Sequence, residues 1–194
     1  MKKRLILRTG EPQEYFGNLQ IADMQKCLNR LPTEVYELLK RYPNELILAG
    51  GFIRSTLADE RIRDIDLFIS KNRKAQIISK TFKEIVLTTE NSYSIKLQKV
   101  PQIQICFCWK FTSPKELLNS FDFSICKAAI YHNGNEFLSI CSSFFYPDIN
   151  NKILRPLAKQ KVDVKTFQKS IVRSAKFFEL GYRPTTEMEL LAMS

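Results

Sequence analysis

Residues 46–69 constrain the chain more than any other stretch. Glu45-Leu-Ile-Leu-Ala49 reads as a short apolar strand, Gly50-Gly51 ends it, and Phe52–Leu57 suits one or two helical turns. Arg63-Asp-Ile-Asp-Leu-Phe-Ile69 then alternates polar and apolar in the strand period before turning wholly apolar. Two adjacent glycines between a strand and a helix let the backbone come close to a phosphate, where the helix start offers unpaired N–H donors. Asp64 and Asp66 stand two apart on a strand, so both carboxylates point to one face. Side by side they repel unless a cation lies between them. Mg²⁺, which takes a few carboxylate oxygens together with substrate phosphate, is the natural cation there. Neither Gly-Gly nor Asp-x-Asp is specific alone; their order inside two apolar strands carries the reading.

The remainder predicts a mixed α and β core. Residues 21–41 carry Met24, Leu28, Leu31, Val35 and Leu39 at near-helical spacing, with Pro32 dividing two helices. Residues 72–83 read as a helix and 84–89, 93–98 and 102–109 as successive strands, with Phe107, Trp109 and Phe111 on one face if the last continues that far. Pro114–Leu118 suits a short helix capped by Ser113. Phe121–Tyr131 reads as a long strand, paired with Glu136–Ile140 across Asn133-Gly134. Val164, Phe167, Ile171, Ala175 and Phe178 form one helical stripe with Lys165, Lys169, Arg173 and Lys176 opposite, an amphipathic basic helix expected to pack inward and present its charges outward.

A length of 194 residues fits one compact domain: residues 1–160 with a helical N-terminal segment, and 161–194 as a helical extension packed on it. No stretch approaches the ~20 apolar residues of a membrane span, and the apolar run after Met1-Lys-Lys-Arg4 ends at Arg8, so neither a span nor a signal peptide is expected. Five cysteines without a C-x-x-C pair, and His132 as the single histidine, exclude a zinc cluster and predict reduced thiols in a cytoplasm. His132, before Asn133-Gly134, reads as a turn residue. The net charge is +10, concentrated at the two ends, and eight basic residues against two acids from Arg155 to Arg183 favour a polyanionic partner.

These motifs resemble the polymerase-β-like nucleotidyltransferases, and among them the head domain of tRNA CCA-adding enzymes and bacterial poly(A) polymerases. The Gly-Gly-x-x-Arg-x-x-Leu of that family stands here as Gly50, Gly51, Arg54 and Leu57, and its Asp-x-Asp as Asp64 and Asp66. Asp122-Phe-Ser-Ile-Cys-Lys-Ala-Ala129 echoes its Asp-Phe-Thr-Ile-Asn-x-x-Ala, and residues 172–181 echo its Leu-Arg-x-x-Arg-Phe helix ending in Leu-Gly. Ser120 and Phe121 replace the paired arginines of the family, Cys126 replaces an asparagine, and Glu-Asp-x-x-Arg is absent upstream of Arg173.

The resemblance implies an α+β nucleotidyltransferase fold, a mixed sheet flanked by helices. It also implies transfer of a nucleoside monophosphate from an NTP to a hydroxyl, with an RNA 3′ end as acceptor and release of pyrophosphate. Asp64 and Asp66 would hold Mg²⁺, and Gly50, Gly51 and Arg54 the nucleotide. A third carboxylate is usual in the superfamily; the strand 102–107 offers only Gln102 and Gln104, which leaves Asp122 as the candidate. Lys165, Lys169, Arg173 and Lys176 would meet the RNA backbone, with Arg173 alternatively turned toward the nucleotide. About ten residues follow Pro184, so CCA addition by this chain alone is not expected. A protein or small-molecule acceptor, and a non-catalytic nucleic-acid-binding relative, remain as alternatives.

Overall fold

The structure, a computed structural model, describes residues 13–82, 85–98, 100–107, 110–156 and 173–185. Strand β1 (Phe16–Gly17) leads into helices α1 (Ile21–Asn29) and α2 (Thr33–Arg41), with Pro32 capping the second, a position that needs no N–H. Strand β2 (Ile47–Ala49), helix α3 (Gly51–Leu57) and strand β3 (Asp64–Phe68) follow. Helix α4 (Asn72–Ser79) then precedes β4 (Ile85–Thr88), β5 (Ser92–Ile95) and β6 (Gln102–Cys106). Helix α5 (Pro114–Asn119) is capped by the Ser113 hydroxyl, which accepts from the Glu116 N–H at 3.2 Å. A 3₁₀ turn (Ser124–Cys126), β7 (Ala128–His132), β8 (Phe137–Ser142), α6 (Phe145–Asn150) and β9 (Ile153–Leu154) come next. Helix α7, described over residues 173–179, and β10 (Arg183–Pro184) complete the described chain.

Eight strands form one sheet in the order β1-β8-β7-β2-β3-β6-β5-β4. Among the described residues of this sheet only β3 and β6 pair in parallel, with Asp64 opposite Gln102 and Asp66 opposite Gln104; β9 and β10 form a separate parallel pair. Strand alternation sorts the side chains into two layers. Leu46 and Leu48 of the β2 segment, Ile65, Leu67 and Ile69 of the β3 segment, and Ile103 and Ile105 of β6 enter the larger core. Helices α1 to α4 and α6 contribute buried residues to it, including Leu28, Leu39, Ile53, Ile78 and Phe145. The opposite face carries a small cluster of Ile47, Ala49, Phe68 and Ala129, closed by Leu117 and Leu118 of α5. Asp64 and Asp66 fall on this thinly covered face because they share the period of Phe68.

Four expectations are corrected. The long strand expected over Phe121–Tyr131 is only its second half. Ser124 donates its hydroxyl to the fully buried Asp148 carboxylate at 2.5 Å, and its N–H to the Arg155 carbonyl at 3.1 Å, which bends residues 124–126 into a 3₁₀ turn. Local β propensity yields to these tertiary bonds. The inward face of α7 is also displaced by one residue. Ser174 and Phe177 are buried, whereas Ala175 and Phe178 are exposed, the latter at 39%. Phe177 takes the inward place because Phe123 meets it edge-on at 5.4 Å, and Tyr182 at 6.1 Å. Val164, Lys165, Phe167, Lys169 and Ile171, the boundary at 160/161, and Cys108 and Trp109 lie outside the described residues. Strand β6 stops at Cys106, and Phe107 and Phe111 pack against opposite cores, so they share no single face. His132 is not the expected turn residue but the buried last residue of β7, paired with Phe137, and its Nδ1 accepts from the Gly134 N–H of the turn that follows at 3.1 Å. The four described cysteines are free thiols, and no helix among the described residues is long and apolar enough to cross a membrane.

Asp148 also accepts from Arg155 through Nε at 2.9 Å and Nη2 at 3.1 Å, so a bidentate pair on a fully buried carboxylate pins the turn after Asp122. Replacing it leaves a partly exposed guanidinium and a buried hydroxyl without their acceptor. Asp148→Ala is expected to lower unfolding free energy by about 2–3 kcal/mol in urea titration; a loss below about 1 kcal/mol would show that the turn is held by other means.

Candidate active site

The main chain turns at Gly50 with φ +84° and ψ −134°, a backbone open to glycine and strained for any other residue. Its N–H still reaches the Ala128 carbonyl at 3.2 Å, which ties the turn to β7. A Cβ placed on Gly50 would stand 3.6 Å from the Phe121 ring and 3.9 Å from Asp66 Oδ2. One on Gly51 would stand 3.9 Å from Asp64 Oδ1 and equally far from both terminal nitrogens of Arg54. The two missing side chains thus leave open a space bounded by carboxylate oxygen on one side and guanidinium on the other. It belongs to a cleft of about 270 Å³.

Burial in this cleft, with Asp64 beside it, pushes the Asp66 carboxyl up to about 7 from its usual 3.8, against the opposing pull of Lys176. Two hard oxygen donors that strain against each other suit a divalent cation, whose remaining ligands come from water or phosphate. The residues present therefore fit Mg²⁺ at Asp64 and Asp66. Among the described residues no three His, Cys, Asp or Glu side chains are grouped to hold an ion. Asp122 lines the same cleft, but its carboxylate takes Arg173 Nη2 at 2.5 Å. The irregular turn that replaces the expected strand brings it to face α7.

Arg54 reaches the cleft floor already committed. Its Nε lies 3.0 Å from Glu60 Oε2, its Nη2 donates to Ser55 Oγ at 3.0 Å, and the Phe177 ring lies 5.0 Å below the guanidinium. Glu60 is shared with Lys152, and the two cations hold its carboxyl below the usual range against the upward push of burial. Arg54 is therefore first a buried ion-pair member, with Nη1 and Nη2 turned toward Gly51. Arg173 and Lys176 line the cleft instead of projecting away from it.

Sequence reading passed over three contributors. Arg61 and Arg63, both exposed, stand at the cleft mouth immediately before β3, and Phe121 forms its wall beside Phe68, ring centroids 5.4 Å apart. Arg63 has only a loose, solvent-exposed contact with Glu179, 3.7 Å away. The signal for the arginines was present in Arg61-Ile-Arg63, placed directly before the aspartates. Cys126 also borders the cleft; burial raises its thiol pKa, which argues against a thiolate nucleophile.

Solved structures share this arrangement of chain. A CCA-adding enzyme with CTP superposes at a TM-score of 0.65 with 21% identity, over 91% of this chain and 44% of the enzyme. The Thermotoga maritima CCA-adding enzyme complexed with tRNA gives 0.64 at 20% identity, and a CCA-adding enzyme with ATP 0.64 at 21%, each with the same coverage. The chain therefore has the nucleotidyltransferase fold and spans less than half of these enzymes. Within that class it belongs to the Gabija anti-defense 2 family, whose model matches residues 18–152. A relative of that name from Bacillus phage SPbetaL7 is 29% identical over 110 residues, 55% of this chain and 27% of the phage protein.

The raised Asp66 carboxyl has a signed consequence. The folded chain keeps a proton there that the unfolded chain releases near pH 4, so this group costs stability as pH rises from about 4 to about 7. Asp66→Asn is expected to melt several degrees above the parent at pH 8, the gap closing toward pH 4 and narrowing in excess Mg²⁺. A gap that does not vary with pH would contradict the crowded carboxylate pair.

Proposed function

We propose that the chain is a Mg²⁺-dependent nucleotidyltransferase that moves a nucleoside monophosphate from an NTP to a hydroxyl and releases pyrophosphate. One observation carries this: Asp64 and Asp66 face the open glycine turn inside a cleft rimmed by Arg61, Arg63, Arg173 and Lys176. Asp64 and Asp66 hold the cation, which when bound neutralises phosphate charge and lowers the barrier to attack by the acceptor hydroxyl. The Gly50-Gly51 backbone lets the triphosphate lie close, and the Arg54 guanidinium beneath Gly51 adds fixed positive potential without moving, because Glu60 and Phe177 hold it. Lys176, with no ion-pair partner among the described residues, is a cation free to follow the departing pyrophosphate.

The acceptor we infer is RNA. The exposed arginines at the mouth suit a phosphodiester chain, and a structural neighbour carries tRNA. Family membership supplies the setting: the phage relative is named for opposing Gabija, and this chain is read as serving the same end through nucleotidyl transfer.

Incubation with each labelled NTP, Mg²⁺ and total RNA or total protein tests the reading, with label expected on RNA. Label on protein would move the acceptor to a side chain, and no label with any NTP would remove the activity. Asp64→Asn and Asp66→Asn are expected to lower turnover at least 10³-fold with the fold intact. Gly51→Val fills the space between Asp64 and Arg54 and should abolish NTP binding in equilibrium dialysis. In filter binding, each of Arg61→Ala and Arg63→Ala should flatten the salt dependence of RNA affinity by roughly 0.7 log units per log unit of salt; an unchanged slope would place the RNA elsewhere.

A further inference from the structure

The cleft holds three carboxylates, and one of them is already matched. Arg173 Nη2 sits 2.5 Å from Asp122 Oδ2, while Asp64 and Asp66 have no ion-pair partner among the described residues. The two members of that pair differ in freedom. Asp122 is 20% exposed and sits beside the clamped turn at Ser124, whereas the Arg173 side chain is 48% exposed. Helix α7 is fastened one turn further along, where Phe177 packs against Phe123 and Arg54. Arg173 can therefore swing away on a fixed helix, while the backbone that carries Asp122 stays in place.

We propose that Arg173 is an exchangeable counter-ion: it neutralises Asp122 in the empty cleft and transfers to the polyphosphate of an arriving nucleotide, which releases Asp122 toward the cation at Asp64 and Asp66. The proposal rests on the nucleotide-and-cation reading of the cleft. It makes polyphosphate and divalent cation mutually dependent, since each takes one member of the same pair, and by linkage each raises the other's affinity by the same factor. It also gives Asp122 a part in cation binding in the presence of nucleotide only.

A double-mutant cycle on Asp122 and Arg173 tests it, with circular dichroism and melting confirming that each variant is folded. Two probes are read separately: Mn²⁺ alone by electron paramagnetic resonance, and inorganic tripolyphosphate in EDTA by calorimetry. Arg173→Gln is expected to tighten Mn²⁺ about tenfold, and this gain should vanish in the Asp122→Asn background. Asp122→Asn is expected to tighten tripolyphosphate about tenfold, and that gain should vanish in the Arg173→Gln background. Lys176→Gln removes an equal charge from the same helix and controls for simple electrostatics; a Mn²⁺ gain as large as that of Arg173→Gln would overturn the exchange. Additive effects around the cycle, with Mn²⁺ and tripolyphosphate still binding the parent, would overturn it while leaving the cleft's function standing. Failure of the parent to bind either probe would remove both.

Discussion

Alternation along a single five-residue strand governs both halves of this molecule. The β3 backbone sends Ile65 and Leu67 into the large core and Asp64 and Asp66 to the other face. The same residues that fix the strand in the sheet thus fix the direction of the carboxylates, since a slip of one position would bury both charges and expose both apolar side chains. The energetic demand is lopsided. Burying two branched aliphatic side chains contributes about 3–6 kcal/mol, enough to hold two carboxylates side by side against their repulsion.

Around that strand, the cleft is supported by two networks of paired charges. Glu60 joins Arg54 to Lys152, and Asp148 joins Ser124 to Arg155. The first network holds the floor beneath the glycine turn and the second holds the turn that follows Asp122. Both are paired and largely withdrawn from water, which keeps their geometry fixed while exposed Arg61, Arg63 and Arg173 stay free to adjust. Fixed charge below and mobile charge at the rim is an arrangement suited to a large, flexible anion.

How much of this could be read from residues alone depends on the range of the forces involved. The segment from Glu45 to Ile69 is governed by local alternation and by glycine, and its strand, turn, helix and second strand all stand where the sequence places them. The Ser113 cap and the division at Pro32 are equally local. The turn at Ser124 was not legible, because Asp148, 24 residues away, bends it. The register of α7 was misread for a related reason: periodicity offered Phe178, but the ring that fills the gap beside Phe123 is Phe177. Arg173 and Lys176 consequently line the cleft, and the pairing of Arg173 with Asp122 spans a distance in sequence that no motif covers.

The parallel pairing of β3 with β6 sets Gln102 and Gln104 beside the two aspartates. An amide has the outline of a carboxylate but neither gains nor loses a proton in water, and it offers a donor as well as an acceptor. The sheet therefore has one strand on which the Asp66 charge varies near neutrality and an adjoining strand whose hydrogen bonding is constant. Acidification can silence Asp66 without disturbing the glutamines, so the strands that frame the cleft keep their polarity pattern even when that carboxyl is protonated.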